Sequence, residues 1–379
     1  MIQLVKGEFE RFLNKKYILA MTILLVVLNL YIVNYEYDNY LTFRHFEENV
    51  SDAIVVVEGE ITEEKTRLVE QKLQSIEAER DQATSEKEGH ELNVKRFLYS
   101  DYMDYVEYSP FPLQYKDKVF ENRLDLINEL QSYEVANQTN SSAYIELSDY
   151  LDLVGKINKD SFYIMGWDYI FQQNILLFLM VTIIISMASV FGEDHSSNVA
   201  SLTLSSKHGK TKLIKARVIA STLFGTILMT IFFVAELFTK LWLHGANGYQ
   251  GRVSLLNFIY MPNQTPIALL FVFFFFTLFA ALCLSLFTLA VSLIVKKTLN
   301  TMLVMVIIIM IAETARIPFI SNLSLRNIVN SFYNSFIDYS PVNILGNLLH
   351  YPFFLVLWLT LTAGLSITVI LYKGRRQQI

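Results

Sequence analysis

Six apolar stretches, at about 17–34, 169–191, 216–239, 265–295, 298–320 and 351–372, constrain this chain more than any other feature. About 20 consecutive apolar residues in a helix cross a hydrocarbon core. Inside lipid only helices and closed barrels satisfy every backbone N–H and C=O. The stretches therefore predict an all-α polytopic membrane protein with six transmembrane helices. The fourth, beginning TPIALLFVFFFFTLF, is long enough to tilt. An apolar share of 53% agrees, being above the ordinary soluble range.

Charge is divided as unevenly as hydropathy. Residues 36–168 hold 29 of the 36 acidic residues and 13 of the 31 basic ones, a net of −16. The remainder is apolar and basic. With the amino terminus in the cytoplasm, 14 Lys and Arg flank the spans on the inner side, against Lys240, Arg252 and Arg326 in the short outer loops. This bias sets orientation in multi-pass proteins. It predicts a cell-membrane protein with both termini cytoplasmic and residues 35–168 extracellular. NLYIVNYEYDNY, after the first span, has no small-residue cleavage site, so that span reads as an uncleaved anchor. Before it, residues 1–16 carry Ile2, Val5, Phe9, Phe12 and Leu13 at helical spacing between charges. Such a helix lies on the membrane surface with its apolar stripe among the headgroups.

The acidic block, 35–168, has the length of an ordinary domain and reads as mainly helical. Thr62 to Arg80 gives a charged helix with a thin stripe of Leu68, Val69, Leu73 and Ile76, half of a hairpin turning near Gly89. Phe120, Leu124 and Ile127 share a second helical face, and Tyr144, Leu147, Leu151 and Val154 a third. Two prolines make VEYSPFPLQY extended or a turn. His45 and His90 form no metal-ligand pattern, and the net charge suits either a solubilising surface or a cationic peptide partner. Cys283, the sole cysteine, lies in an apolar run and excludes an intrachain disulfide; a large polar domain without cysteine suits a bacterial surface.

Between the second and third spans, SLTLSSKHGKTKLIKAR ends a loop with Gly209-Lys210-Thr211. A phosphate-binding P-loop needs a further glycine five residues before Gly209 and a buried strand in front of it. Leu204 stands there and an apolar span precedes, so the chain has no P-loop. The loop instead resembles the first cytoplasmic loop of ABC-2 type permeases, the membrane subunits of one class of ABC transporters. Glu193 looks like the family's leading acid, and Ser197-Asn198-Val199 stands at its Ser-Gly-Thr position without the glycine. Leu202 and Leu204 resemble the apolar turn, Ser205-Ser206 the break, Lys210 the basic residue, and Lys215 or Arg217 the basic entry to the next span. The layout is similar too: six spans, an amphipathic amino-terminal helix, and in 321–350 a moderately apolar segment like the re-entrant or surface-lying one before the family's last span.

The resemblance implies that loop 192–215 docks on a separate ATPase subunit through a short helix. It implies ATP and Mg on that partner and none bound here, a second permease subunit as homo- or heterodimer, contact with membrane lipid, and no nucleic acid. The expected function is an exporter's permease for an amphipathic peptide, antimicrobial or lipid-like substrate. The alternative is a membrane sensor or assembly factor whose acidic domain binds a ligand or partner without transport. An enzyme is not expected, since no paired acids or histidines mark either interface.

Two charged pairs interrupt the spans. Glu313 and Arg316, three residues apart, can meet on one helix face, either as a polar point on the translocation path or subunit interface, or as a structural pair near the outer surface. Glu236 and Lys240 are expected as a snorkelling pair at the outer end of the third span.

Overall fold

The computed structural model describes residues 1–13, 16, 20, 23–24, 26–28, 30–31, 51–80, 86–107, 113–115, 118–120, 123–156, 160–163, 176–196, 212–244, 248–251, 263–314, 318–337, 339, 341–344 and 347–376. Among these the fold is mostly helical, and four helices are long and apolar enough to cross a membrane: Leu176–Glu193, Ile214–Trp242, Pro266–Val295 and Tyr351–Lys373. Most of the first expected span lies outside the described residues. In the fifth, the described helix covers Thr298–Thr314, and residues 315–317 that follow it lie outside the described residues.

Helix α1 (Ile2–Leu13) opens the chain. The polar block contributes strand β1 (Gly59–Glu60), helices α2 (Glu63–Arg80) and α3 (Glu86–Glu107), strands β2 (Leu113–Tyr115) and β3 (Lys118–Phe120), helices α4 (Arg123–Val135) and α5 (Ser142–Gly155), and strand β4 (Ser161–Phe162). The bundle follows with α6 (Leu176–Ser196), α7 (Ile214–His244), α8 (Pro266–Val295), α9 (Thr298–Thr314), the short α10 (Pro318–Ser321) and α11 (Leu325–Ile337). Strands β5 (Val342–Ile344) and β6 (Asn347–Leu349) and helix α12 (Tyr351–Arg376) complete it.

Helix α8 is the pillar, packed against α6, α7, α9, α11 and α12. Its limits are local chemistry. The Thr265 hydroxyl accepts from Ala268 N at 3.3 Å, with Pro266 in the first turn, where a missing N–H costs nothing. Lys296, in the left-handed region (φ 63°), ends it and reverses the chain into α9 within two residues. Small residues let helices close on the pillar. A Cβ on Gly225 of α7 would lie 2.7 Å from Ser285 Oγ, and one on Gly192 of α6 would lie 2.5 Å from Thr298 N. Ser292 Oγ also donates to Ala188 O of α6 at 2.9 Å.

The polar block does not share a single core. Ala53, Ile54, Val57, Val69, Ile76, Leu98, Tyr99, Tyr102, Tyr105 and Phe162 form one separate cluster around the α2–α3 hairpin. Its root is the β1–β4 ribbon, where Gly59 pairs with Phe162 and Glu60 with Ser161, tying the chain's entry to its exit. Leu126, Leu130, Leu147, Tyr150 and Val154, of α4 and α5, belong instead to the core of the bundle. The α5 face follows the sequence expectation, whereas the α2 stripe does so in part: Val69 and Ile76 are buried, but Leu68 is exposed. Phe120 does not: it ends strand β3, paired with Leu113, and the helix starts at Arg123. Gly89 lies inside α3 rather than at the hairpin turn; the cost of an interior glycine, about 1 kcal/mol, is small enough for tertiary packing to override.

The 321–350 segment is an amphipathic helix followed by a hairpin. Leu325, Ile328, Val329, Phe332 and Phe336 of α11 are buried while Arg326 and Asn334 are exposed. Phe332 stacks on Phe276 of the pillar at 3.6 Å, so α11 lies against α8 before β5 and β6 turn the chain into α12.

Candidate functional site

The expected docking loop begins at the end of α6 and finishes at the start of α7. Ser197, Asn198, Val199, Leu202, Leu204 and Lys210 lie outside the described residues, whereas Glu193 and Arg217, at its two roots, are described. Helix α1 joins those roots. Glu8 Oε1 is 3.3 Å from Arg217 Nε, an ionic contact without hydrogen-bond geometry, and both Glu8 oxygens accept from Arg11, Oε1 at 3.4 Å and Oε2 at 3.1 Å. Arg11 in turn reaches Glu193 Oε2 at 3.8 Å. The Arg217 guanidinium also lies over the ring of Phe191 in α6, 5.5 Å from its centroid, which attracts a cation.

Apolar packing holds α1 in this position. Phe12 stacks on Phe224 of α7 at 4.7 Å and Phe9 meets the same ring edge-on at 6.3 Å. The expected stripe therefore divides: Val5, Phe9 and Phe12 turn toward the bundle, whereas Ile2 and Leu13 are exposed, at 84% and 62%. Burial differs along the ion chain as well. The side chains of Arg217 and Glu8 are 7% and 12% exposed, those of Arg11 and Glu193 38% and 41%. Removing one member of a buried pair strands the other charge and costs about 3–5 kcal/mol, whereas an exposed pair contributes about 0–1 kcal/mol. Glu8–Arg217 is the anchor and Arg11–Glu193 the soft link. Of the two candidates for the basic entry to the third span, Lys215 is exposed and Arg217 is buried in this pair.

Sequence reasoning did not identify Glu8 and Arg11. Their only local signal is an i,i+3 pair on the flank of the α1 stripe, and their partners lie far along the chain.

At the other end of α9, Glu313 accepts a hydrogen bond from Ser324 Oγ and faces Arg326 at 4.0 Å. Arg316, its expected partner, lies outside the described residues. The Ser324 hydroxyl also accepts from Asn327 N at 3.4 Å, and Asn327 Nδ2 donates to Ala312 O at 3.2 Å. Glu313 thus sits at the start of α11, where the helix dipole and free N–H groups favour an anion. Ser324, which donates to Glu313, also borders a cavity of about 20 Å³ lined with Cys283, Asn322 and Thr362 among apolar residues. That holds one water-sized molecule and no transported substrate.

Glu236 and Lys240 pair at 3.4 Å with side chains only 6% and 2% exposed. They are buried in the bundle, a departure from the expected snorkelling pair. Spacing gives the i,i+4 contact, but neighbouring helices decide which way it faces.

Polar contacts also join the block to the bundle. Tyr339 OH donates to Asp149 Oδ2 at 2.7 Å, His350 Nδ1 lies 3.7 Å from the same oxygen, and Asn263 Nδ2 donates to Lys156 O at 2.7 Å. Among the described residues no three metal-ligating side chains converge.

No family model, curated protein or solved structure matches the chain.

Proposed function

We propose that this chain is the membrane permease subunit of an ATP-driven exporter, energised by a separate ATPase that docks on loop 192–215. It moves an amphipathic peptide, antimicrobial or lipid-like substrate outward, with α1 on the cytoplasmic side and the polar block outside. The observation that carries the reading is the fastening of the loop's roots. Glu193 at its start and Arg217 just after its end are both held by α1, so a push delivered to the loop reaches α6 and α7 together. The half-buried helix and hairpin before α12 match the segment expected of such permeases. Charge reversal at Glu193, together with Ser201→Lys, is expected to abolish co-purification of the ATPase and transport. Retention of both activities in the doubly substituted protein would sink the proposal.

A second reading, a membrane sensor, draws support from the joint between α5 and the bundle. The Asp149–Tyr339 contact and the shared core give a ligand on the polar block a direct route to the membrane helices. A folded chain that captures no ATPase favours this reading.

A further inference from the structure

The geometry points to α1 as a clasp across the base of the docking loop, with Glu8 and Arg11 as positioning residues that keep α6 and α7 in register. This deepens the permease reading and rests on it for its purpose, though not for its geometry. The roots also meet directly, with Arg217 of α7 over the Phe191 ring of α6, and α1 adds an ionic link across them. Glu8 supplies the link: Oε1 faces Arg217, at the root of α7, and both oxygens accept from Arg11, which reaches Glu193, at the root of α6.

The two halves of the clasp differ in kind. The α7 half is buried and stacked through Phe12 and Phe224. The α6 half is a half-exposed arginine–carboxylate pair at 3.8 Å, weak enough for a partner's charges to displace. A second constraint lies beside it, because Gly192 is pressed against the backbone of Thr298 where the Lys296–Lys297 turn enters α9. When Arg11 lets go, α1 stays with α7 and the end of α6 stays against α9, so the link between the two sides is reduced to contacts such as Arg217 over Phe191.

The test measures distance distributions in full-length protein in lipid nanodiscs, with spin labels on cysteines introduced in a Cys283→Ala background. Lys6, Lys212 and Lys297 are exposed and outside the ion chain. The Lys6–Lys212 pair reports α1 against α7, and the Lys6–Lys297 pair reports α1 against the α6–α9 side. Arg11→Gln is expected to widen only the Lys6–Lys297 distribution, by about twofold. Glu8→Gln and Arg217→Gln are expected to widen Lys6–Lys212, and the double variant no more than either alone, as two members of one pair should. Arg11→Gln changing both distances alike, or leaving Lys6–Lys297 unchanged in folded protein, overturns the clasp. Because Arg11 is half-exposed, that variant remains informative even where the buried substitutions fail to fold. Co-purification of an ATPase is scored on the same preparations. Its absence from unsubstituted protein overturns the permease reading and leaves the distances to decide the clasp.

Discussion

The two halves of the polar block look alike in sequence, acidic helices with thin apolar stripes, yet they are built on different foundations. Helices α2 and α3 close around their own cluster, with Phe162 against Tyr102 and Tyr105 at 5.3 and 5.6 Å. Helices α4 and α5 give their apolar residues to the bundle, with Tyr150 5.0 Å from Tyr339. The first half is a lobe attached through a short ribbon; the second shares the core of the bundle. A stripe identifies which face of a helix is buried, but not what buries it.

The largest expected effect separates the two halves. Tyr150 is 2% exposed and Tyr102 0%, and truncating either to alanine should cost about 3–5 kcal/mol. Hydrogen exchange should show Tyr150→Ala loosening α4, α5 and α11, and Tyr102→Ala loosening α2 and α3 while α6 and α8 keep their protection. Loss of bundle protection in Tyr102→Ala would break the distinction. Gly192→Ala should do the reverse. Its Cβ meets Thr298 backbone, so α6 or α9 must shift at a cost of about 1–3 kcal/mol, seen as a lower thermal midpoint with the lobe's protection unchanged. Tyr339→Phe removes a hydrogen bond to a carboxylate, worth about 1.5–3 kcal/mol when buried and less in this partly exposed setting. It should raise exchange in α5 without affecting α2.

The smallest effect is electrostatic and confined to the lobe. Burial raises the Asp52 carboxyl, but the hydrogen bond and charge of Lys95 outweigh it and hold the group below its ordinary value of 3.8. Lys95 is lowered by burial, yet ends above 10.5 through Asp52 and Glu91. The stabilisation from Asp52 is present above 3.8 and lost as pH falls through its lowered pKa; that from Lys95 is present below 10.5 and lost as pH rises through its raised one. Tyr99, raised by burial and by Asp52, reinforces the alkaline loss. Asp101, raised by burial and by Asp104, opposes the acid loss. Urea midpoints of the lobe should therefore fall more steeply on the alkaline side than on the acid side, and Asp52→Asn should flatten the alkaline arm. An unchanged alkaline arm in that variant would remove Lys95–Asp52 from the account.

Legibility followed the range of the interaction. The limits of α8 were readable because Thr265-Pro266 and Lys296 act within a turn of the helix they bound. The α1 stripe was readable in Val5, Phe9 and Phe12, but its destination was not, since Phe224 sits in a helix apolar nearly all round. Glu313 drew attention to Arg316 by spacing alone, while its described partners, Ser324 and Arg326, come from the start of another helix. Glu193 was singled out by resemblance; the arginine that faces it is in α1 and follows from no pattern around either residue. Where a charge meets its partner through the packing of distant helices, sequence marks the residue but not the pair.

The most direct test of the permease reading is a pull-down from native membranes with the tagged full chain, followed by a vanadate-sensitive ATPase assay of the eluate. An ATP-binding subunit is expected to co-elute with measurable activity, and scrambling residues 193–204 to remove both. Well-folded bait that brings down no ATPase would contradict the permease reading and make the joint between the polar block and the bundle the working part of the molecule.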